Sequence, residues 1–252
     1  LSYILDEGRG ELNVALSMHC EGSSHFRWSY DEVWEYHSEA RARAYFVPEA
    51  YSVRLFQNGE NNYYCWRSYH SPVIKVFSTA DQVEDRFVDL EFHTIKRNDM
   101  RLQVLYNIKV YLEAISEDAY KYWNNIQQNS EGQGTIFSPT PSMMAGNIHC
   151  ISNPSIPVIG YINAAARAPA GMYYDNDKEK FFKNTAIQEF FTEEIDPDDF
   201  GWYWENGFAP FDIVQDEPGG DPKHEWAPRR CVDCRLSGGT KDKPADWPND
   251  HR

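Results

Sequence analysis

The 252-residue sequence lacks the short motifs that identify most enzyme classes. It contains no Gly-x-Ser-x-Gly, no His-Glu-x-x-His, no phosphate-binding glycine loop and no dinucleotide-binding glycine fingerprint. Its eight His residues include no pair at the i, i+4 spacing of a helical metal site. The sequence therefore offers no positive argument for an enzyme, and we expect a non-catalytic protein.

Long apolar runs and an excess of positive charge are absent as well. No apolar stretch approaches the roughly 20 residues that a membrane-spanning helix needs. The 24 basic residues are outnumbered by 39 acidic residues, which gives a net charge of −15. Because such a surface repels phosphate, we expect neither a nucleic-acid partner nor direct binding to an anionic membrane surface. A basic and apolar leader is also missing, and we expect a processed or truncated piece of a longer protein.

Aromatic residues are abundant, with 8 Trp, 16 Tyr and 14 Phe, and they help to define predicted strands. Over residues 26–36 aromatic side chains occupy alternate positions, which is the period of a β-strand. A similar alternation over Leu102–Ile115 predicts a long strand, and together with Phe87–Ile95 it predicts a hairpin. Val158–Ala166 indicates a further strand. Most of the predicted regular structure is therefore β.

One substantial helix is predicted at about residues 116–130, because Ser116 is a favoured N-cap and two acidic residues follow it. The predicted fold is mainly β, an antiparallel β-sandwich or open barrel with this helix and an irregular C-terminal tail. Residues 175–225, here called the acidic segment, hold 15 acidic and 4 basic residues and carry a net charge of −11. We therefore expect a β-rich core over residues 1–174 and an acidic, loop-rich extension over 175–252, packed on the same domain.

Two aromatic groups are candidate ligand-binding platforms. In the first, Glu32 shares its strand face with four aromatic residues, and a carboxylate among rings must be paired, exposed or ligand-facing. Pairing with Arg54 or Arg67 is the simpler interpretation, and a platform that stacks a glycan or grips a peptide is the alternative. The second group comprises residues 202–204. These residues form either a second platform or part of the packed core. The candidate residues are Trp28, Tyr30, Glu32, Trp34, Trp202 and Trp204.

The start of the acidic segment resembles a calcium loop. Asp175, Asp177 and Glu179 place carboxylates at alternating positions, and Ca²⁺ prefers such oxygen ligands. An EF-hand is excluded because Lys180 and Ala186 replace the Gly and Glu that it requires. A solvated acidic loop is one interpretation, and a calcium site of another kind is the alternative.

Of the five Cys residues, only Cys231 and Cys234 lie close together in sequence. A small disulfide loop, a redox pair or half a zinc site would fit this spacing. A four-Cys zinc site needs a second Cys-x-x-Cys, which is absent, and a redox pair should follow a strand rather than lie in a tail rich in Pro and Gly. We therefore predict a disulfide between Cys231 and Cys234. Cys65 and Cys150 are predicted to be buried as small apolar residues.

Several short motifs, taken in order, resemble a known family. They are Phe26–Glu35, Tyr64–Trp66, Ser116–Trp123, Gly134–Pro139 with Pro141-Ser142, Gly146–Ile148, Val158–Tyr161, and Cys231–Cys234 with Gly238-Gly239-Thr240 and Lys243-Pro244. In this order they resemble an uncharacterised family of Bacteroidota outer-membrane lipoproteins. That family is a domain of unknown function, commonly encoded beside SusC-like TonB-dependent transporters.

The resemblance implies a location at the outer membrane, exposed at the cell surface. The lipid-modified Cys and the immunoglobulin-like domain of the family would precede this chain. We therefore expect this chain to be the C-terminal part of such a lipoprotein, and we expect the lipid anchor to be its only contact with the membrane. We expect a non-catalytic accessory of a TonB-dependent nutrient transporter, which binds a glycan, a peptide or the transporter itself. A metal-dependent surface hydrolase and a purely structural subunit of an outer-membrane assembly are the alternatives.

Overall fold

The computed structural model describes residues 1–57, 60–72, 75–82, 86–131, 146–184 and 190–248, with the backbone only for 129–131. The strands are β1 Ser2–Asp6, β2 Glu11–His19, β3 His25–His37, β4 Ala44–Val47, β5 Ser52–Leu55, β6 Tyr64–His70, β7 Lys75–Ser78, β8 Arg86–Lys96, β9 Leu105–Ala114, β10 Ala166–Asp175, β11 Glu193–Glu194, β12 Phe208–Val214 and β13 Lys223–Pro228. The helices are α1 Glu117–Glu131, α2 Asn176–Glu179, α3 Phe200–Glu205 and α4 Arg229–Val232. Short 3₁₀ turns cover Pro48–Ala50, Met100–Leu102, Pro197–Asp199 and Cys234–Ser237.

The strands form sheets whose described registers are antiparallel, which confirms the predicted mainly-β class. One sheet has the order β1-β2-β8, and a second has the order β10-β9-β3-β6 with β7 also paired to β3. A third has the order β11-β13-β12, and β4 pairs with β5. The predicted hairpin between the strands near residues 87–95 and 102–115 is wrong, because β8 and β9 belong to different sheets.

The long strand β3 shows the predicted alternation. Its even-numbered side chains Phe26, Trp28, Glu32, Trp34 and Tyr36 are buried. The buried Glu35 is an exception, since it has the opposite parity. No strand occurs within the described residues 146–165, so the predicted strand at 158–166 is wrong and β10 begins only at Ala166.

The predicted helix is present as α1. The hydroxyl of Ser116 accepts a hydrogen bond from the N–H of Ala119 at 3.2 Å, as expected for an N-cap. Glu117 and Asp118 occupy the first turn, where the helix dipole favours negative charge, and Glu117 lies 2.6 Å from Lys121 one turn later. Local sequence signals thus account for both the position and the start of this helix. Among the described helices, none is long and apolar enough to cross a membrane.

The chain forms two compact units, each built from three stretches of sequence. The first unit comprises Leu1–Glu32, Tyr69–Ile95 and Asn107–Tyr173. The second comprises Val33–Ser68, Lys96–Tyr106 and Tyr174–Arg252. In the first unit α1 packs through Ala119 on a small core, which also contains Val76 and Ile115. In the second unit Trp226 is fully buried with Phe46, Ile195 and Phe200.

The C-terminal part is more regular than the predicted irregular tail. Strands β12 and β13 form an antiparallel pair with an irregular register between Pro210 and Asp212, and the buried α4 follows directly. Apolar residues of this region are buried in the second unit, among them Ala227 and Val232. Burial therefore stabilises strands here despite the frequent Pro and Gly.

The predicted disulfide between Cys231 and Cys234 is wrong. Cys234 is bonded to Cys65, 169 residues earlier in the sequence, and Cys231 is a fully buried thiol that forms no disulfide. Cys65 lies on β6 and Cys231 lies on α4. Of these two residues, only Cys65 is bonded to Cys234. Cys150, which was predicted to be buried, is a partly exposed free Cys.

Candidate functional site

The second unit contains a cleft of about 450 Å³ at the end of β3. We call it the His37 cleft, after the last residue of this strand. Hydrogen-bonding side chains form most of its wall, so the cleft can offer several polar groups to one small molecule. The lining residues are His37, Ser38, Glu39, Tyr63, Gln103, Val104, Asp177 and Asn184.

A buried carboxylate holds the imidazole of His37 in place. Glu35 and His37 are two residues apart on β3, so their side chains lie on the same face. Oε1 of Glu35 lies 3.0 Å from Nε2 of His37, and Oε2 accepts a hydrogen bond from the indole N–H of Trp247 at 2.7 Å. The side chain of Glu35 is only 1% exposed, and that of His37 is 17% exposed. Both oxygens of the carboxylate are therefore used to fix neighbouring rings.

The hydrogen bond to Glu35 selects one tautomer of the neutral His37 imidazole. In the neutral imidazole the Nε2–H group donates to Glu35, and Nδ1 carries the lone pair. Within the described residues no partner contacts Nδ1, so it is available to a ligand in the cleft. The backbone N–H of His37 donates to Oε1 of Gln103 at 2.8 Å, which fixes the end of the strand as well.

Two tyrosines pack around the imidazole. The ring centroid of His37 lies 4.6 Å from that of Tyr63 and 4.8 Å from that of Tyr64. Burial raises the pKa of Tyr63, and the neighbouring Tyr64 raises it further. Tyr63 is therefore a neutral phenol at neutral pH, which can both donate and accept a hydrogen bond in the cleft.

Asn176 makes hydrogen bonds that fix the lining residue next to it, Asp177. Its side-chain N–H donates to the carbonyl of Gln103 at 3.1 Å, and its backbone N–H donates to the carbonyl of Val104 at 2.9 Å. Its side-chain oxygen accepts hydrogen bonds from the hydroxyl of Tyr174 and the N–H of Phe182. The start of α2, and with it Asp177, is thereby attached to residues 103–104, and the side chain of Gln103 in turn accepts the backbone hydrogen bond of His37.

The charges of the cleft decide which ligands it favours. Glu39 and Asp177 are acidic lining residues, and Glu35 adds a buried carboxylate behind His37. An anionic ligand would be repelled, whereas hydroxyl or ammonium groups can donate to these oxygens and to Nδ1. The hydroxyl of Ser38 donates to the carbonyl of Ala40 at 3.1 Å, so it is not paired with His37 as a nucleophile with its base. These charges favour a neutral or cationic polar molecule over an anion.

The second unit contains two other clefts. One, of about 260 Å³, is mostly apolar, and Arg229 covers the ring of Trp204 there at 3.7 Å. The other, of about 410 Å³, lies beside the isolated bridge between Trp66 and Thr240. In that cleft the guanidinium of Arg67 lies 5.8 Å from the ring of Trp34 and donates to the carbonyl of Ser237.

The first predicted platform is divided between the two units and is largely buried. Trp28 is 9% exposed and Trp34 is 8% exposed. Glu32 is 1% exposed, and its carboxylate lies 2.9 Å from Nε2 of His93, whose other nitrogen lies 3.4 Å from the hydroxyl of Tyr30. The predicted pairing of Glu32 is therefore correct in kind, but its partner is a histidine of the first unit rather than Arg54 or Arg67.

The second predicted platform and the predicted calcium ligands do not converge on a site. Trp202 is 60% exposed, whereas Trp204 is covered by an arginine, and residues two apart on a helix face different directions. Asp175 contacts Lys178 at 3.0 Å, and Asp177 contacts Lys180 at 3.2 Å. Within the described residues, including Glu179, no group of three His, Cys, Asp or Glu could hold a metal ion. Of the predicted site residues, only Asp177 lies in the His37 cleft.

Sequence reasoning missed every residue that lines this cleft except Asp177. The spacing of Glu35 and His37 was a local signal, because residues two apart on a strand share a face. Trp247 is 212 residues away from Glu35, and Gln103 is 66 away from His37, so the sequence contains no local indication of these contacts.

Comparison with known proteins assigns a family but no activity. No curated protein and no solved structure matches the chain. Residues 12–169 match the family described as "Domain of unknown function (DUF4249)". The predicted membership of an uncharacterised family is thereby confirmed. Because the match covers more than half of the 252 residues, the protein belongs to the DUF4249 family.

Proposed function

We propose that this chain is a non-catalytic binding protein that holds a small polar solute in the His37 cleft. The observation that carries the proposal is the imidazole of His37, which lines a polar cleft of about 450 Å³ and is held by Glu35 through Nε2. A preformed site with several converging hydrogen-bonding groups is typical of small-molecule recognition. The acidic lining favours neutral or cationic solutes, such as glycans or basic peptides.

The cellular role that we propose is that of an accessory lipoprotein. In this role the chain belongs to an outer-membrane protein of the Bacteroidota, exposed at the cell surface through a lipid anchor that precedes it. It delivers its solute to a SusC-like TonB-dependent transporter. The resemblance of the ordered motifs to lipoproteins encoded beside such transporters supports this role, and the lack of common catalytic motifs is in keeping with it.

The first experiment tests the partner. The tagged protein is captured from outer membranes in mild detergent, and the transporter encoded beside its gene is quantified by mass spectrometry. Enrichment of that transporter over an unrelated outer-membrane protein is the expected result. No enrichment would contradict the accessory role.

The second experiment tests the cleft. Neutral oligosaccharides and short basic peptides are titrated calorimetrically against the wild-type chain and against His37→Ala and His70→Ala variants. His70 is the control, because its side chain is 69% exposed and it does not line the cleft. We expect a bound solute whose affinity falls in His37→Ala and is retained in His70→Ala. Equal affinities in both variants would place the solute elsewhere.

A further inference from the structure

An exposed loop of the first unit is unusually apolar. It comprises residues 147–162 and is here called the apolar loop. Ile151 is 92% exposed, Ile159 is 77% exposed and Ile156 is 52% exposed. Single exposed apolar residues are ordinary, but a group of them on one loop marks an interaction surface.

Hydrogen bonds close the base of the apolar loop. The side-chain N–H of Asn147 donates to the carbonyl of Ile162 at 2.7 Å, and the N–H of Ile162 donates back to Oδ1 of Asn147 at 2.8 Å. Beside them the backbones of Gly146 and Gly160 lie against each other, and a Cβ at Gly146 would overlap the carbonyl oxygen of Gly160. Only glycine permits this approach. The two ends of the loop are therefore held together.

Ring packing also attaches the loop to the core of the first unit. The ring of Tyr161 stacks on Tyr122 of α1 with centroids 5.0 Å apart, and it packs on the cluster that contains Val76 and Ala119. Tyr161 thus points inward while its neighbour Ile159 is exposed. A loop that is fixed in this way loses little conformational freedom when it binds, which favours affinity.

The charge pattern restricts what can cover the loop. The 35 residues from 132 to 166 include no Asp, Glu, Lys or Arg, although 25% of the whole chain is charged. An uncharged apolar surface is complementary to an uncharged apolar groove. A second copy of the chain is disfavoured as the occupant, because each copy has a net charge of −15 and the copies repel one another.

Lipid is disfavoured for a different reason. The described residues 146–165 form no helix or strand, so much of their backbone lacks the regular hydrogen bonds of such elements. Hydrocarbon cannot satisfy exposed backbone N–H and C=O groups, whereas a protein groove can. The occupant that fits both the apolar side chains and the irregular backbone is a protein.

We propose that the apolar loop docks into an uncharged, apolar groove of a different protein, with Ile151 and Ile159 as the anchoring side chains. The identity of that protein rests on the function proposed above, in which it is the TonB-dependent transporter. Solute binding in the His37 cleft and docking through the apolar loop then use different surfaces.

The test measures binding of the purified transporter, in detergent, to immobilised wild-type chain and to an Ile151→Asp, Ile159→Asp double variant. Because interface anchors contribute most of the binding energy, we expect the Kd to rise at least about tenfold in the double variant. The control is Ile4→Asp, at a residue of β1 that is 51% exposed and lies outside the loop, and its Kd should stay within about twofold of wild type. Unchanged melting temperatures would show that both variants are folded.

The other outcomes separate the proposals from each other. Tight binding by the wild type and by the double variant alike would overturn the docking surface while leaving the accessory function intact. No binding by the wild type would refute the accessory function and, with it, the partner assigned to the loop. Flotation of the wild type, but not of the double variant, with phosphatidylethanolamine vesicles would show that the loop binds lipid instead. Dimerisation that the double variant abolishes would overturn the proposal in favour of a second copy.

Discussion

Removal of the disulfide between Cys65 and Cys234 should cause a large and measurable loss of stability. The bond joins residues 169 positions apart, so it restricts the unfolded chain over most of its length. In the chain-entropy model a closed loop of this size contributes about 5 kcal/mol, and native disulfides typically contribute about 2–5 kcal/mol. We therefore expect the double variant Cys65→Ala, Cys234→Ala to lose about 2–5 kcal/mol of unfolding free energy.

The assay is urea unfolding followed by tryptophan fluorescence. The variant should have a lower midpoint, and its m-value should rise because the unfolded chain without the cross-link exposes more surface. Cys231→Ala is the matched control, because Cys231 is equally buried and three residues away but is not bonded. Its truncation should cost only about 1 kcal/mol, through lost packing.

Peptide mapping checks the connectivity directly. Trypsin cleaves after Arg230 and Arg235, so Cys231 and Cys234 stay on one short peptide. Under non-reducing conditions this peptide should be linked to the peptide that carries Cys65. If it is found alone and two hydrogens lighter than its reduced form, the bond joins Cys231 to Cys234 and the stability argument fails. Equal unfolding free energies for the double variant and wild type would also refute the argument.

Four other predictions concern single sites. Burial lowers the pKa of His224, so as the pH falls the unfolded state binds the proton before the folded state does. The unfolding free energy should therefore fall as the pH drops below about 6.5. In denaturant titrations from pH 8 to 5, this fall in unfolding free energy should be smaller for His224→Gln than for wild type. A hydrogen bond from Ser152 lowers the pKa of the Cys150 thiol, so iodoacetamide should label Cys150 faster than the buried Cys231, and Ser152→Ala should slow that labelling. Trp34→Ala should lower the unfolding free energy, measured with denaturant, by about 3–5 kcal/mol, because the side chain is buried at 8% exposure. A decrease of less than about 1 kcal/mol would contradict this prediction. Melting temperatures in millimolar calcium and in sodium chloride of matched ionic strength should be equal, and a specific rise in calcium would indicate a cation site in the acidic segment.

Local features of the fold could be predicted because their causes are local. The alternation of β3 follows from the pleat of a strand, and the start of α1 follows from the hydroxyl of Ser116 and the acidic residues after it. The prediction of a hairpin between β8 and β9 was wrong because a turn signal indicates where the chain reverses direction. It does not indicate which strands then pair. Strands in the C-terminal part were missed because burial of residues such as Trp226 outweighs frequent Pro and Gly.

The candidate site depends on contacts between distant residues, which explains why it was mostly missed. The spacing of Glu35 and His37 is visible in the sequence, but their burial is not. Trp247 completes the arrangement from the other end of the chain, and Asp177 reaches the cleft only because Asn176 attaches α2 to the strand ends. The disulfide shows the same limit, since the neighbour of Cys234 in sequence is Cys231 and its neighbour in space is Cys65.

The interleaving of the two units has a consequence for how the chain can fold. Each unit combines three stretches of sequence, so neither can be completed until residues far along the chain have been made. Contacts at such long sequence separation raise the contact order, and proteins of high contact order fold slowly. During synthesis the segments of the first unit within the first 95 residues remain incompletely covered until residues 107–173 have been made. A chaperone that shields exposed strands during this interval would therefore matter more for this chain than for a protein whose domains are consecutive in sequence.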